Sequence, residues 1–374
     1  MLRTAELDYD LPEASIARMP APERDAARLM VVKRSDPGFL RHATVRDIPT
    51  WLHAGDCLVV NHSRVLPARF QGQRSDTGGK VEGLFLSEPG PGRWRVLLQG
   101  KRMKPGVAVT MAGRDGAPSE FSLLLKDRLP DEPGGWWVDV QPARPAMEVL
   151  DRTGLTPIPP YIRRAREHAA QAVPDEDDRA RYQTVFASRD AEAAAPDSPD
   201  RVCGSVAAPT AGLHLTPSLL GSLDRMGVHR GDVSLHVGTG TFRTVDTEFV
   251  EQHEMHAEWC SMPQATRQLI TTTRQAGARV VCVGTTSART VESYAHAAEH
   301  PAWLSTRILI TPGYQWKWTD GLLTNFHLPR STLMAMVAAL LGDSGAERLK
   351  TLYAAAIAQG YRFYSYGDAM LVLP

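Results

Sequence analysis

Five of the twelve histidines in this 374-residue chain stand beside small or polar residues in ways that suit proton transfer or ligand contact. His214 ends the run Gly204-Ser205-Val206-Ala207-Ala208-Pro209-Thr210-Ala211-Gly212-Leu213-His214, whose small side chains let a backbone approach a ligand closely. Such a run more commonly serves as a tight crossover between packed elements, and a histidine such as His214, taken alone, is more often structural than catalytic. His236 stands in LHVGTGTF, followed by Gly238 and Gly240. A dinucleotide fingerprint needs a third glycine at position 243, where Arg243 stands, so that reading is excluded. His253, His256 and Glu258 form H-x-x-H-x-E. On a helix the two histidines would share a face and Glu258 would be offset. The spacing of the zinc proteases is also missing, so acid/base or hydrogen-bonding roles are favoured and no metal site is expected. Asn325 and His327, in TNFHLP, fall at a strand end before a helix.

One further segment offers ligand contacts without a histidine. The apolar run RVVCVG leads into Gly284-Thr285-Thr286-Ser287, whose N–H and hydroxyl groups could meet a carboxylate or a ribose. Arg289 follows within the first helical turn and could meet the same anion. Ser287 serves equally well as the cap that starts the helix. The GxxxxGK[ST] spacing of a phosphate loop is absent.

These segments need strand ends and helix starts to hold them, and the patterning supplies both. Thr216 to Met226 has a capping Thr, a Pro at the first turn and helically spaced apolar residues. The strand-like DVSLHV follows it. A helix over Gln264 to Gln275 leads into the strand ARVVCVG and then a helix led by Ser287, SARTVESYAHAA. ILITPG and LLTNFHL read as strands, and Ser331 starts the apolar helix STLMAMVAALLG. This alternation predicts an α/β domain with a mainly parallel sheet and helices on its faces. LPEASIAR reads as helical and RLMVVKR as a strand completing that domain.

From Leu58 to Val140 the chain reads differently, as short alternating runs broken by Gly and Pro. That predicts a small antiparallel β-barrel. Residues 1–58 and 148–374 are expected to form the α/β domain, with the barrel, 59–147, inserted. Arg163 to Arg179 and Ala187 to Asp200 are rich in Ala, Pro and charge and are expected to be mobile surface loops.

Composition sets limits on function. Lys+Arg and Asp+Glu both total 42, so no global charge field points to a polyanionic partner. Local charge does. Between Arg64 and Lys104 nine basic residues, including Arg69, Lys101 and Arg102, face three acids, a net +6 on the barrel segment. Phosphate contact there would make binding fall steeply with salt, although a solvated barrel face is also commonly charged. The four cysteines show no close pairing, which fits reduced thiols. No basic leader precedes an apolar run, and no stretch of about 18 consecutive apolar residues occurs, so neither export nor a membrane span is expected. In YRFYSYGDAM, Tyr361, Phe363, Tyr364 and Tyr366 fit core packing, with base stacking the sharper alternative.

The order and wording of these segments resemble one family. SVAAPTAGLH, SLHVGTGTF, HEMHAE, VVCVGTTSARTVES, LLTNFHLPRSTL and YRFYSYGDAML look like successive signature blocks of the S-adenosylmethionine:tRNA ribosyltransferase-isomerases of queuosine synthesis. LPEASIARMPAPERDAARLMVV, LVVNHSRVLPAR, TGGKVEGLFL and PIPPYI resemble their N-terminal half. The resemblance covers about Leu11 to Leu373. It departs from the family at His62 and Ser63, where Asn-Thr is usual, and at Gly83, where an aliphatic residue is usual.

The resemblance implies an α/β domain split by a six-stranded β-barrel. The expected enzyme moves the ribosyl group of S-adenosylmethionine onto 7-aminomethyl-7-deazaguanine at the wobble position of tRNAs with a GUN anticodon. The ribose rearranges to an epoxycyclopentanediol, giving epoxyqueuosine, and adenine and methionine leave. S-adenosylmethionine is then a consumed co-substrate and no resident cofactor is expected. A cytoplasmic monomer is implied. A route that begins with proton removal beside the sulfonium needs a base and a proton donor for adenine, roles for histidine or glutamate. The candidates are His214, His236, His256, Glu258 and His327, with His256 and Glu258 first. Thr210, Ala211, Gly212, Gly284, Thr285, Thr286, Ser287, Arg289 and Asn325 are candidates for holding the donor. Arg64, Arg69, Lys101, Arg102 and Lys104 are candidates for gripping tRNA. A tRNA-binding relative without this catalysis, and a metal-dependent hydrolase at His253, His256 and Glu258, are the competing readings.

Overall fold

A computed structural model of the chain describes residues 1–130, 132–188, 204–238 and 244–374. The apolar runs of the α/β part form a nine-stranded mixed sheet. Its strands in chain order are β1 (Arg28–Lys33), β2 (Leu40–Thr44), β3 (Cys57–Asn61), β11 (His229–Leu235), β12 (Glu258–Ser261), β13 (Val280–Val283), β14 (Leu304–Thr306), β15 (Gly321–Asn325) and β16 (Ala369–Leu373). Their spatial order is β14-β12-β11-β3-β13-β15-β16-β1-β2. The centre, β11-β3-β13-β15, is parallel, and β1 pairs parallel with β16. The remaining pairs, at β14-β12-β11, β15-β16 and β1-β2, are antiparallel.

A parallel centre must be covered on both faces, and β3 is buried along its whole length. Cys57 and Val59 face one apolar cluster; Leu58 and Val60 face the other. The first cluster is closed by α5 (Gln264–Gln275), α6 (Thr285–His296), α7 (Thr332–Leu341) and α8 (Gly345–Ala358), which contribute residues such as Ile270, Val291, Val337 and Leu349. The second is closed by α4 (Pro217–Arg225), through Leu219, Leu220 and Leu223, and by a 3₁₀ segment, Val45–Thr50. The caps read from the sequence form: Thr216 Oγ1 accepts from Leu219 N, and Ser331 Oγ from Met334 N.

The chain leaves β3 at its carboxyl end and builds a six-stranded antiparallel barrel. Its strands are β4 (Arg69–Arg74), β5 (Lys80–Gly90), β6 (Arg93–Gly100), β7 (Ala108–Ala112), β8 (Pro118–Arg128) and β9 (Gly135–Gln141). They pair in the order β4-β5-β6-β9-β8-β7, and β7 returns to β4, closing the barrel. Alternation puts Phe70, Phe85, Trp94, Phe121 and Trp136 inside. Helix α1 (Ala146–Thr153) plugs the interior with Val149 and Leu150, and the short β10 (Gly154–Leu155) adds to β4.

Four expectations are corrected. LPEASIAR is only a 3₁₀ turn, Glu13–Ser15, because Ile16 bridges instead to Phe363. ILITPG forms no strand; the ladder lies earlier, at β14, and Ile310 is buried by packing alone. Ser287 does not cap α6. Gly284 is the N-cap at φ +87°, a conformation natural to glycine, and Ser287 Oγ donates to Val283 O inside the helix. Arg163 to Arg179 is largely helical: α2 (Pro160–His168) and α3 (Asp175–Arg181) are held together by a buried Arg166–Asp178 ion pair with N–O distances of 2.6 and 2.8 Å. Tyr366 also donates to Asp178. Composition suggested too little burial for order, but this paired charge supplies the anchor. The other expected loop, Ala187 to Asp200, lies outside the described residues beyond Ser188.

Cys57, Cys260 and Cys282 are free and buried, and burial pushes the thiols of Cys57 and Cys260 up to about 12. Cys203 lies outside the described residues. Among the described residues no helix is long and apolar enough to cross a membrane.

Candidate active site

The carboxyl ends of β11, β13 and β15 open onto one cleft, the place where parallel sheets present ligand sites. It holds about 610 Å³ of atom-free space, part of it open to solvent. Val237 comes from just beyond β11, Gly284, Thr285 and Thr286 from beyond β13, and Thr324, Asn325, Phe326 and His327 from β15 and its continuation. The small-residue run supplies the opposing wall, Ala207 to Ala211, and Tyr161, Tyr364 and Ser365 close one side.

That run is small because four cores meet there. Val206 packs into the barrel, Ala207 and Ala211 into the two faces of the sheet, and Ala208 into a cluster with Ile162 and Tyr182. Ser205 Oγ fixes the run by accepting from Val237 N at 3.0 Å. The segment therefore crosses between packed cores and also lines the cleft.

Asn325 is the best-anchored polar group in the cleft. Its Oδ1 accepts from Thr210 Oγ1 at 2.8 Å, and its Nδ2 donates to Tyr364 O and to His214 Nε2, each at 3.2 Å. The carbonyl of Tyr364 only accepts, which fixes the amide's orientation. His214 Nε2 must then be an acceptor and Nδ1 must carry the ring proton. Burial, with the Arg362 and Arg24 charges, lowers the His214 pKa to about 4. His214 stands behind Asn325 and Thr210 and does not line the cleft. His327 does line it, beside Thr324 Oγ1 at 2.7 Å, and burial lowers its pKa to about 3. Both imidazoles are neutral at pH 7.

Glu258 and Arg289 form a second centre beside Val237. Glu258 starts β12, Arg289 lies one turn into α6, and their side chains are ion-paired with only 6% and 5% exposure. Glu258 Oε1 also accepts from Gly238 N at 3.0 Å. H-x-x-H-x-E is not helical: His256 sits in the half-buried loop before β12, and Glu258 opens that strand, where it pairs with Arg289. His236, just past β11, is buried, with its ring 5.0 Å from that of Trp303. Among the described residues no group of three His, Cys, Asp or Glu could hold a metal. Gly240 and Arg243 lie outside the described residues.

Of the remaining donor candidates, Ser287 is fully buried and Gly212 faces Phe186, so neither reaches the cleft. Spacing did not single out Tyr161 and Ser365, which are brought in from α2 and from before β16. Tyr161 announces itself only by following Pro159-Pro160 at a helix start; its OH is 2.5 Å from Ser365 Oγ and its ring 4.6 Å from that of Tyr364. Of the aromatic C-terminal motif, only Tyr364, at φ +72°, faces the cleft; Tyr361, Phe363 and Tyr366 are core.

The basic segment divides. Lys101, Arg102 and Lys104 are exposed on the β6–β7 connection, and Arg74 Nη1 donates to Lys101 O and Arg102 O, bracing the turn. Arg69 instead pairs with Glu82 and donates to Thr156 O, while half-buried Arg64 borders a crevice with Pro67 and Arg179. His62 Nε2 lies 2.9 Å from Ser234 Oγ, and Ser63 Oγ donates to Leu235 O. Gly83 faces the ring of Phe70 across the β4–β5 pair.

The chain is 45% identical over 372 residues to the S-adenosylmethionine:tRNA ribosyltransferase-isomerase of Synechococcus elongatus, covering 98% of this chain and 95% of that protein. It is 42% identical to the enzyme of the same name from Moorella thermoacetica over the full length of both. A crystal structure of S-adenosylmethionine tRNA ribosyltransferase from Thermotoga maritima superposes with a TM-score of 0.51 at 30% identity, covering 98% of this chain and 100% of that one. The family model for queuosine biosynthesis protein matches residues 4–372, and the chain belongs to that family.

Proposed function

We propose that the cleft at the carboxyl ends of β11, β13 and β15 is where this tRNA-modifying enzyme, an S-adenosylmethionine:tRNA ribosyltransferase-isomerase of queuosine synthesis, binds S-adenosylmethionine. The observation that carries the placement is the convergence of the uncapped start of α6 with the anchored Asn325 amide and neutral His327 in one cleft. Thr210, Ala211, Gly284, Thr285, Thr286 and Asn325 hold the donor. S-adenosylmethionine is consumed, with no resident cofactor. The acceptor is a tRNA with a GUN anticodon carrying 7-aminomethyl-7-deazaguanine, and the enzyme works as a cytoplasmic monomer.

The environments divide the five acid/base candidates. A pKa as low as that of His327 makes it a weak base, better suited to a neutral hydrogen bond with ribose or adenine. His214 is a positioning residue acting through Asn325. Glu258 is ion-paired with Arg289. That leaves His236 and His256, close in sequence to the cleft residue Val237 and to Glu258 though not themselves in the cleft lining, as the candidates for proton transfer. Timing adenine release in His236→Gln and His256→Gln tests this: a loss of about 10²-fold or more in at least one is expected. Near-normal turnover in both would overturn the assignment. Leu333→Trp, at the cleft wall, should raise KM for S-adenosylmethionine and leave tRNA affinity unchanged. Unaltered KM would move the donor elsewhere.

The exposed turn bearing Lys101, Arg102 and Lys104 contacts the tRNA backbone. Arg64 and Arg69 are half-buried, and Arg69 is engaged within the protein, so both shape the surface more than they grip phosphate.

A further inference from the structure

Arg289 holds its guanidinium nearly out of solvent, yet only one of its three nitrogens is satisfied. Nη1 donates to Glu258 Oε2, whereas Nε and Nη2 are buried with no hydrogen-bond partner. These two share one edge of the planar group and point their N–H bonds in parallel, the arrangement that matches both oxygens of a carboxylate. Buried orphan donors are costly, and a protein keeps them where a ligand completes the bonding. The orientation is not accidental. Glu258 takes the far nitrogen, and Glu258 is itself held by Gly238 N, so the ion pair fixes the guanidinium with its open edge turned away.

A second unpartnered group lies three residues earlier on the same helical face: the buried Thr286 Oγ1 also has no partner. Thr286 lines the cleft, and the twelve-residue helix that carries both residues has no side-chain cap, since its N-cap is Gly284. The first turn of α6 therefore offers free N–H groups and the positive end of the helix dipole beside the Thr286 hydroxyl, with the buried Arg289 edge one turn along, behind the residues that line the cleft. Glu258 offsets the charge of Arg289, so the fork offers an arriving anion directed hydrogen bonds while the helix dipole supplies the attraction.

We propose that Thr286 Oγ1 and the Nε/Nη2 edge of Arg289 bind the α-carboxylate of the methionyl portion of S-adenosylmethionine. This rests on the placement of the donor in the cleft. The carboxylate is the donor's only anionic group. The other anions in the reaction are tRNA phosphates, which are carried on a backbone too bulky to reach a guanidinium that is 5% exposed. Held there, the methionyl tail is fixed at α6 and the ribosyl group lies toward Asn325 and His327. Glu258 then serves as a positioning residue that aims Arg289.

Adenine release with substrate tRNA, measured with S-adenosylmethionine and with its decarboxylated analogue, tests the assignment. The wild type should favour the carboxylated donor by on the order of 30- to 100-fold in kcat/KM. Arg289→Lys keeps a charge for Glu258 but loses the fork, and Thr286→Val keeps the shape but loses the hydroxyl. Both should lower kcat/KM for S-adenosylmethionine far more than for the analogue, and so collapse the preference to within about 3-fold. A wild type indifferent to the carboxylate, or folded variants that lose both donors equally, would overturn the contact. If Arg289→Lys melts early, Thr286→Val decides alone. Failure of the cleft placement reads differently: Leu333→Trp would then leave KM for both donors unchanged, whatever the preference.

Discussion

The amide of Asn325 donates to His214 Nε2 at 3.2 Å, and this single bond settles how the imidazole is protonated. Because Tyr364 O and Thr210 Oγ1 hold the other faces of the amide, a proton on Nε2 would confront an N–H with no way to turn. The ¹⁵N resonance of His214 Nε2 should therefore be that of an unprotonated nitrogen from pH 8 down to about 4, with Nδ1 bearing the proton. His214→Ala should raise KM for the donor by roughly 10-fold through a loosened Asn325. An Nε2-protonated tautomer at pH 7 would refute the arrangement.

Acid should destabilise the enzyme through two histidines. The folded-state pKa values, about 4 for His214 and about 3 for His327, lie below the ordinary 6.5. Below about pH 6.5 the unfolded chain binds protons that the folded chain refuses, so stability is full above that pH and falls toward pH 4 and then 3. The loss is on the order of 2–3 kcal/mol per histidine by pH 4. Urea midpoints at pH 7 and 4.5 should differ less in His327→Gln than in the wild type, and an equal difference would count against the burial argument.

The α2–α3 pair should depend on Arg166 and Asp178, each with a side chain 9% exposed. Asp178→Ala leaves a buried guanidinium facing Tyr366 and should cost about 3–5 kcal/mol, far more than an exposed pair such as Arg152–Glu120. Thermal midpoints of Asp178→Ala and Glu120→Ala compare the two directly.

This ion pair also explains a limit of the sequence. Local signals sufficed where they act locally: Thr216 and Ser331 cap their helices, Gln264–Gln275 follows its apolar spacing, and Gly284 to Thr286 fall at a strand end. Arg163 to Arg179 reads as a charged loop because a helix stabilised by one contact with Asp178 and Tyr366 leaves no periodic trace. The site divides in the same way. Its strand-end residues are legible from type and position, whereas Tyr161 and Ser365 are delivered by packing between segments about two hundred residues apart. Likewise, Glu258 reads as a base until Arg289, on another element, is seen to bind it.

Gly83 is required by the packing of the barrel. A Cβ built there would lie 2.1 Å from Phe70 Cζ, inside the ring that fills the barrel opposite it. Gly83→Val should destabilise the barrel by at least about 1–3 kcal/mol through overpacking. The same valine with Phe70→Leu should recover most of the loss, since the two positions trade volume across one strand pair. Non-additivity in denaturant midpoints is the expected signature, and simple additivity would disconnect the two residues.

Charge on the barrel should act on tRNA and not on the donor. Lys101, Arg102 and Lys104 extend from a turn braced by Arg74, so reversing them to Glu removes three cations without touching the barrel core or the cleft. Each phosphate contact contributes about 0.7–0.9 to the slope of log affinity against log salt, so the triple variant should flatten that slope by about 2–3. KM for S-adenosylmethionine should stay within about 2-fold at saturating tRNA. Neutralising Arg69 instead should lower stability, because Glu82 would keep only Arg163, and should change the salt slope little. A steep slope in the triple variant would place the tRNA on another face of the barrel.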